Sequence, residues 1–333
     1  MNDPIDSKNN LMTGVSTSLV VENLETLVAG VKELVDAADA GATTRAYAAD
    51  WRVFEAWCTS KRLPVTLPID PDIVATYLRA LYNRGRKVKT IERALAGIVH
   101  RHRAADAEWL TPDRIRREIR GIRKTRRKAG ERPTKKTALT KDKLVTFLAQ
   151  FGSKLIDLRD RALLLLTWDT ASRESETVGL EITDITFVPQ QGLVIEPRST
   201  KTDQEGKDSA QAVEFAADPA LCPIVALRAW LEAANITEGP IFRPITKQGK
   251  VQATQLSTRA FRVIVKKRAA AAGFDAATFS GHSLRSGWIT EARRAGRDMT
   301  AIMSRSKHKS EAMVREYIHY EDLFKKNASK GLL

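Results

Sequence analysis

Arginine and histidine side chains occur in the C-terminal half of this sequence at positions where the core does not require them. Arg173 follows closely on the apolar run "ALLLLTW", and "HSLR" places His282 and Arg285 three residues apart, on one face of a helix. Taken singly, such residues are more often a surface arginine or a structural histidine. Together they indicate a phosphodiester site, because guanidinium groups bind the nonbridging oxygens of a phosphate in pairs.

Two tyrosines lie close to these residues in the chain. Tyr317 and Tyr320 are three residues apart in "HKSEAMVREYIHYE", a segment that begins with His308. A helix turns about 100° per residue, so the two phenols would be only about 60° apart and could face one site. Tyrosine can act as a covalent nucleophile, although packing on an amphipathic helix is its more common role. The spacing alone leaves open which tyrosine reacts.

Several common catalytic motifs are absent from the sequence. It contains no GxxxxGK[ST], HExxH, CxxC or GxSxG segment. Cys58 and Cys222 are two isolated residues, which favours buried thiols in a reducing compartment over a metal site or a disulfide framework. The pattern argues against ATP-driven, zinc-dependent and serine-nucleophile chemistry, so we expect no metal and no cofactor.

The charge of the chain indicates its partner. Fifty-five Lys and Arg residues against 40 Asp and Glu give a net charge of +15 over 333 residues. This excess favours a polyanion such as nucleic acid, with generic solubility as the alternative. No apolar run is long enough to span a bilayer, and the polar start "MNDPIDSKNN" does not fit a secretory signal. We expect no membrane partner. The expected location is the cytoplasm, associated with the nucleoid, for a protein encoded by a bacterium, a phage or a plasmid; the alternative is the nucleus.

Hydrophobic periodicity divides the chain into four parts. Residues 1–19 resemble a disordered tail, and 20–130 show only helical patterns, including a helix with Thr43 or Thr44 as N-cap and an Asp-capped one in "LPIDPDIVATYLRALYNRG". Residues 131–139 are predicted as a basic linker and 140–333 as a catalytic domain. In the latter, "EITDITF", "GLVIEP" and "QAVEF" predict a small antiparallel sheet among helices.

The order of these features resembles that of the tyrosine recombinase (phage integrase) family. Arg173, Lys201, "HSLR" and the late tyrosine form its catalytic set, and "VKTI", "AGER", "STKT", "QLSTRA" and "SGHS" stand in the order found in one phage member. The resemblance covers nearly the whole chain. It implies a mainly α fold, with a helical core-binding domain and a mixed α+β catalytic domain with a small antiparallel sheet, together forming a C-shaped clamp on DNA.

The resemblance also implies the chemical roles of four residues. Tyr317, nine residues after His308 and followed by "IH", matches the nucleophile that forms a 3′-phosphotyrosyl link, which leaves Tyr320 to packing or support of the DNA backbone. Arg173 and Arg285 match the pair that holds the nonbridging oxygens. Lys201 matches the general acid that protonates the leaving 5′-oxygen.

Three further residues match supporting positions of the family's site. His282 matches a histidine that assists proton transfer and phosphate binding, and Glu176 a carboxylate that orients its neighbours. His308 stands where one phage member has tryptophan and the wider family commonly has histidine, which favours a hydrogen bond to the phosphate.

The implied partner is a double-stranded DNA site with inverted repeats around a spacer, bound by a homotetramer that joins two such sites through a Holliday junction. Sequence is read by side chains on helices that enter the grooves, while phosphate contacts fix the register. Arg259 matches a position at which one family member reads a guanine; the other positions could equally be solvated charges. The predicted DNA contacts are Thr43, Thr44, Arg45, Arg86, Lys87, Lys89, Thr90, Arg93, Gln255, Ser257, Thr258, Arg259 and Arg262.

Two other functions remain as alternatives. A non-cleaving DNA-binding regulator with the same fold predicts the loss of at least one of Arg173, Lys201, Arg285 and Tyr317, and all four are present. A topoisomerase- or resolvase-like DNA cleaver would share the catalytic set, but the segments "AGER" and "QLSTRA" disfavour it.

Overall fold

The computed structural model describes residues 41–109, 112–130, 136–196 and 210–315, together with Tyr317 and Ser329. The chain divides into two compact units, Met1–Pro133 and Thr134–Leu333. The predicted tail at 1–19 lies outside the described residues. Within the described residues, no helix is long and apolar enough to cross a membrane.

The N-terminal unit is helical throughout its described residues, 41–130 without 110–111. Each helix gives apolar side chains to one core, in which Phe54, Leu78, Ile91 and Ile115 are fully buried. This burial of one face per helix is what the helical periodicity predicts. The helices are α1 (Ala42–Ser60), α2 (Pro71–Asn83), α3 (Val88–Ala104) and α4 (Asp113–Lys128).

The ends of the first two helices test the predicted caps. Asp70 caps α2 as predicted, with its carboxylate accepting a hydrogen bond of 2.7 Å from the backbone N–H of Asp72. The predicted cap of α1 at Thr43 or Thr44 is wrong. Gly41 occupies the N-cap in an extended conformation and makes no side-chain capping bond, so the helix begins earlier and both threonines lie in its first turn.

The C-terminal unit combines helices with a three-stranded sheet. Its central helix carries the run "ALLLLTW", whose Leu163, Leu164 and Leu166 are fully buried against neighbouring helices. The elements are α5 (Lys141–Leu148), α6 (Leu155–Asp169), α7 (Glu174–Val178), β1 (Ile185–Val188), β2 (Gly192–Ile195), β3 (Gln211–Glu214), α8 (Pro223–Ala233), α9 (Thr258–Ala271), α10 (His282–Arg294), α11 (Met299–Ser306) and α12 (Glu311–Arg315).

The predicted antiparallel sheet is confirmed, with strand order β1-β2-β3. Ile185 pairs with Ile195 across the first two strands, and Ile195 pairs with Gln211 across the second pair. The chain between β2 and β3 contains the predicted Lys201, which lies outside the described residues. The sheet therefore fixes the two ends of the Lys201 segment.

A buried ion-pair cluster joins α6 to α9. Asp160 accepts hydrogen bonds from Arg159 at 2.7 Å and from Arg268 at 2.6 Å, and Arg268 also binds Asp157 at 2.7 Å. Removing one partner of such a buried pair leaves an uncompensated charge, which is strongly destabilising. The cluster fixes α9, whose first turn carries predicted DNA contacts, against the helix that leads to Arg173.

The last part of the predicted linker packs against the C-terminal unit. Thr137 donates a backbone hydrogen bond to Thr278 at 2.9 Å, and Leu139 donates one to Ser283 at 2.8 Å. The Leu139 carbonyl lies so close to α10 that a Cβ atom added to Gly287 would be only 1.8 Å from it. Glycine is therefore required here to seat the helix that carries His282 and Arg285.

Candidate active site

An open cavity of about 470 Å³ collects several of the predicted site residues in the C-terminal unit. It lies where the start of α7, the first turn of α9 and the start of α10 meet. Arg173, His282 and Arg285 line it together with two predicted DNA contacts, Thr258 and Arg262. Residues separated by more than one hundred positions in the chain thus share one polar cavity, as a phosphodiester site requires.

Glu176 binds Arg173, which is the N-cap of α7. One carboxylate oxygen accepts a hydrogen bond of 2.6 Å from the Arg173 guanidinium, and the other accepts one of 2.8 Å from its backbone N–H. The second bond satisfies a backbone donor at the helix N-terminus, as in a capping box. Glu176 therefore contacts Arg173 at two points, and about 30% of the Arg173 side chain is exposed.

Arg285 is almost completely buried, with 2% of its surface exposed. Its Nη1 donates a hydrogen bond of 2.8 Å to the carbonyl of Ala171. Ala171 has a φ of 48°, a left-handed conformation unusual for alanine, in the turn between α6 and α7. Burial and the charge of Arg173 lower the pKa of Arg285 to about 10, so it stays cationic at neutral pH.

Tyr317 and His282 are hydrogen-bonded to each other. The phenol oxygen of Tyr317 lies 2.8 Å from Nε2 of His282, at the first position of α10. Burial lowers the pKa of His282, and the charges of Arg285 and Arg173 add to this effect while Glu174 opposes it. The histidine is therefore neutral at neutral pH and able to accept the phenolic proton.

His308 lies on the other side of Arg285, just after α11. Nη2 of Arg285 is 3.3 Å from each of its ring nitrogens, and the Tyr317 ring meets the His308 ring edge-on at 5.5 Å between centroids. Burial, followed by the charges of Arg285 and Arg173 and the nearby His282, lowers the pKa of His308 to about 4. The structure thus joins Arg285, His282, His308 and Tyr317 in one contact network.

Two of the predicted residues, Lys201 and Tyr320, fall outside the described residues. Lys201 belongs to the segment 197–209, and Tyr320 follows Tyr317 in a segment that is likewise outside them. Their proposed roles stay predictions.

The predicted DNA contacts of "QLSTRAFR" lie at the start of α9. Ser257 is the N-cap, and its hydroxyl accepts a hydrogen bond of 3.1 Å from the backbone of Ala260. Arg262 binds the carboxylate of Glu174 at 2.6 Å, so part of its hydrogen-bonding capacity is taken within the protein. Gln255 and Arg259 are exposed, and Thr258 is partly buried.

The predicted DNA contacts of the N-terminal unit lie on α1 and at the start of α3. Arg93 forms a two-pronged ion pair with Asp50 at 2.7 and 3.0 Å, which raises the pKa of Arg93 and links the two helices. The other members of this set are exposed, apart from two partly buried threonines; they are Thr43, Thr44, Arg45, Arg86, Lys87, Lys89 and Thr90.

Three contributors to the site have no signal in the sequence. The Ala171 carbonyl reaches Arg285 only because of a left-handed turn, and Glu174 contacts Arg262 across 88 positions. Ser306 lies 2.7 Å from Nδ1 of His308 and is completely buried. A serine two residues before a histidine is common in any chain, so its role emerges only from the fold.

Comparison with known sequences shows two informative relatives. An integrase/recombinase XerD homolog of Selenomonas ruminantium is 36% identical over 310 residues, covering 92% of this chain and 90% of the relative. The recombinase Cre of Escherichia phage P1 is 26% identical over 287 residues, covering 81% and 82% respectively. A sequence profile described as the phage integrase family matches residues 137–323.

Solved structures share the fold. The XerH site-specific recombinase in a post-cleavage complex with palindromic difH substrate has a TM-score of 0.58 at 19% identity, covering 86% of this chain and 79% of that one. A lambda integrase dimer bound to a COC′ core site has a TM-score of 0.53 at 17% identity, covering 88% and 94%. At these identities the structural likeness bears on the fold alone.

Proposed function

The chain belongs to the phage integrase family and is a site-specific DNA recombinase, and we propose that it cuts and rejoins DNA strands through an ester between Tyr317 and a 3′-phosphate. The observation that carries this proposal is the 2.8 Å hydrogen bond between the Tyr317 phenol and His282, beside two arginines. A neutral imidazole, a phenol and guanidinium groups are what a tyrosine nucleophile needs in order to attack a phosphodiester.

Cleavage begins at the phenol of Tyr317. Its oxygen attacks the scissile phosphorus while Nε2 of His282 takes the phenolic proton, and the bond from phosphorus to the 5′-oxygen breaks. Lys201 supplies a proton to the leaving 5′-oxygen, so the charge does not accumulate on the alkoxide. Arg173 and Arg285 hold the nonbridging oxygens, and their positive charge stabilises the extra negative charge of the transition state.

Rejoining runs the same steps in reverse. The phosphotyrosyl ester keeps the energy of the broken bond, so a 5′-hydroxyl from a partner strand can displace Tyr317. The phenolate then recovers its proton from His282. Exchange of one pair of strands gives a Holliday junction, and exchange of the second pair resolves it. We propose that neither ATP nor a metal ion takes part, since each proton transfer and charge contact is assigned to a side chain.

DNA binding is proposed to use both units. The basic, exposed start of α3 and the first turn of α9 are surfaces at which helix termini and cationic side chains can contact phosphates and base edges. The XerH structure contains palindromic difH substrate and the lambda integrase structure a COC′ core site, which supports double-stranded DNA with inverted repeats as the partner. A cytoplasmic location belongs to the same proposal.

A homotetramer on two sites is supported by a groove of about 940 Å³ in the C-terminal unit. Its wall combines apolar side chains with charges of both signs, and Asp169 is paired with Arg305; these residues are Val145, Trp168, Phe215, Trp288, Asp169, Glu214, Asp218, Lys141, Arg297 and Arg305. The chain after Arg315 contains two adjacent apolar residues, Leu332 and Leu333, which suit the apolar part of this wall. We assign the C-terminal tail of a second copy as its occupant.

Removal of the tail tests this assembly. Deleting residues 325–333 is expected to leave binding of one copy to DNA unchanged and to lower the yield of tetrameric complexes in native gels. An unchanged tetramer yield would contradict the tail as occupant, and loss of single-copy binding would indicate instead that the tail contacts DNA.

The function itself is tested on DNA from the replicon that encodes the protein. Incubation with this DNA, denaturation and capture of covalent complexes should yield a defined cleavage position with protein on the 3′-phosphate and a free 5′-hydroxyl. Two copies of that position on one plasmid should then recombine. Relaxation of supercoils without a recombined product would favour a topoisomerase-like cleaver, and sequence-specific binding without a covalent complex would favour a regulator.

A further inference from the structure

Ser306 contacts His308 from the last position of α11. Its side chain is completely buried. The hydroxyl oxygen lies 2.6 Å from the carbonyl of Ile302 and 2.7 Å from Nδ1 of His308. Both distances lie within the range of hydrogen bonds made by a hydroxyl. Because the Ser306 side chain is buried, its hydroxyl oxygen is the nearest partner of Nδ1 in the DNA-free protein, at 2.7 Å against 3.3 Å for Nη2 of Arg285.

The number of hydrogens decides the direction of these bonds. A serine hydroxyl has one hydrogen to donate, and the Ile302 carbonyl can only accept. When the hydroxyl donates to Ile302, its oxygen must accept from His308, which places the imidazole hydrogen on Nδ1. Neutral His308 then carries a bare lone pair on Nε2.

The other neighbours of His308 do not determine its tautomer. Nη2 of Arg285 lies at the same distance, 3.3 Å, from both ring nitrogens, so this cation favours neither. Arg173 acts on the ring through its charge, and Tyr317 meets it edge-on. Ser306 is the neighbour in the described structure that contacts one nitrogen and not the other.

A bare lone pair on Nε2 is the wrong group to meet a phosphate. Phosphate oxygens only accept hydrogen bonds, so His308 needs a hydrogen on the nitrogen that faces them. The Ser306 hydroxyl can turn toward Nδ1 at low cost, because the Ile302 carbonyl is also the regular acceptor for the backbone N–H four residues later in the helix. With Nδ1 then accepting, the hydrogen of the neutral ring moves to Nε2.

We propose that Ser306 is a positioning residue that sets the tautomer of His308: its hydroxyl donates to Ile302 in the free protein and turns to donate to Nδ1 when a scissile phosphate binds, so that Nε2–H contacts the phosphate. The ring stays neutral throughout, since one proton leaves Nδ1 for water as another reaches Nε2 from water. This inference deepens the proposed function and rests on it for the phosphate.

Nitrogen NMR of the His308 ring tests the tautomer without relying on catalysis. In the ¹⁵N-labelled free protein at neutral pH, we expect hydrogen on Nδ1; in Ser306→Ala, hydrogen moves to Nε2, which free histidine prefers. If the alanine variant does not fold, Ser306→Cys is measured in its place. Cysteine is similar in size to serine but is a weaker hydrogen-bond donor and acceptor, so the same shift is expected. Ser304→Ala, an exposed serine on the same helix, should leave the spectrum unchanged. Hydrogen on Nε2 in the free wild-type protein would overturn the proposal.

Cleavage kinetics test the consequence for the reaction. At saturating DNA, Ser306→Ala already has the hydrogen on Nε2 but lacks the hydroxyl that donates to Nδ1 and holds the ring. Formation of the covalent complex is therefore expected to slow about tenfold, the scale of one lost hydrogen bond, with DNA affinity unchanged. In a His308→Ala background the same substitution should have no further effect, and Ser304→Ala should have none in either. An equal loss in both backgrounds would overturn the proposal, because Ser306 would not act through His308. If the wild type itself forms no covalent complex, the proposed function fails while the tautomer result still stands.

Discussion

The phenol oxygen of Tyr317 and Nε2 of His282 lie 2.8 Å apart, so the proposed nucleophile and its proton acceptor are already hydrogen-bonded without DNA. His282 is fixed at the first position of α10, and α10 is seated by the close approach of Leu139 at Gly287. The hydrogen bond between Tyr317 and His282 therefore depends on the position of α10 as well as on the two side chains.

The rate of cleavage should depend on pH through His282. Its pKa lies below the ordinary value of 6.5 because it is buried beside Arg285 and Arg173, so the neutral form persists as the solution becomes mildly acidic. We expect the rate at subsaturating DNA, which reports the free protein, to fall only below pH 6.5. The measurement is the initial rate of covalent complex formation from pH 5 to 8.

A variant without this histidine is the control for the pH profile. His282→Gln should cleave about a hundredfold more slowly, the lower scale of general-base catalysis, and should lose the acidic inflection. An inflection that persists in His282→Gln at the same pH would assign it to another group.

Gly287→Ala should destabilise the C-terminal unit. The added Cβ would lie 1.8 Å from the Leu139 carbonyl oxygen, and relief requires a shift of backbone, which costs about 3 kcal/mol. The measurement is the free energy of unfolding in urea. Gly152→Ala is the matched control, since its Cβ would make only an ordinary contact of 3.4 Å; equal stability of both variants would contradict the close packing described.

Lys89→Ala should weaken DNA binding mainly at low salt. Lys89 is exposed at the start of α3, and loss of one phosphate contact lowers the slope of log affinity against log salt by about 0.9. Binding to the target site is measured between 50 and 200 mM salt. The control is Lys61→Ala, which should keep the wild-type slope. Lys61 is exposed and follows the C-terminus of α1, whereas Thr43 lies in the first turn of that helix. A reduced slope for Lys61→Ala alone would place the DNA-binding surface elsewhere.

The sequence predicts those features that depend on local pattern. The short β-rich segments around Ile185, Leu193 and Val213 predict the sheet, and the Asp70 cap follows from residue type. The spacing of His282 and Arg285 predicts a shared helix face, and the structure places both on α10, where they line one cavity.

Features that depend on tertiary contacts were not predictable in the same way. The pairing of Arg93 with Asp50 requires the packing of α1 on α3, and the Ala171 contact with Arg285 requires a left-handed turn in a residue type that rarely adopts one. The N-cap of α1 was misplaced because Gly41 can take the extended conformation without a side-chain cap. These three features depend on the surrounding structure more than on residue type.

The central claim is that Tyr317 attacks the phosphate, and one comparison tests it most directly. Tyr317→Phe removes only the phenolic oxygen, and Tyr320→Phe makes the same change three residues later. Each variant is incubated with target DNA, and the covalent protein–DNA complex is quantified after denaturation. We predict no complex with Tyr317→Phe and a wild-type yield with Tyr320→Phe, at equal DNA binding. A complex that persists in Tyr317→Phe and is lost in Tyr320→Phe would contradict the account.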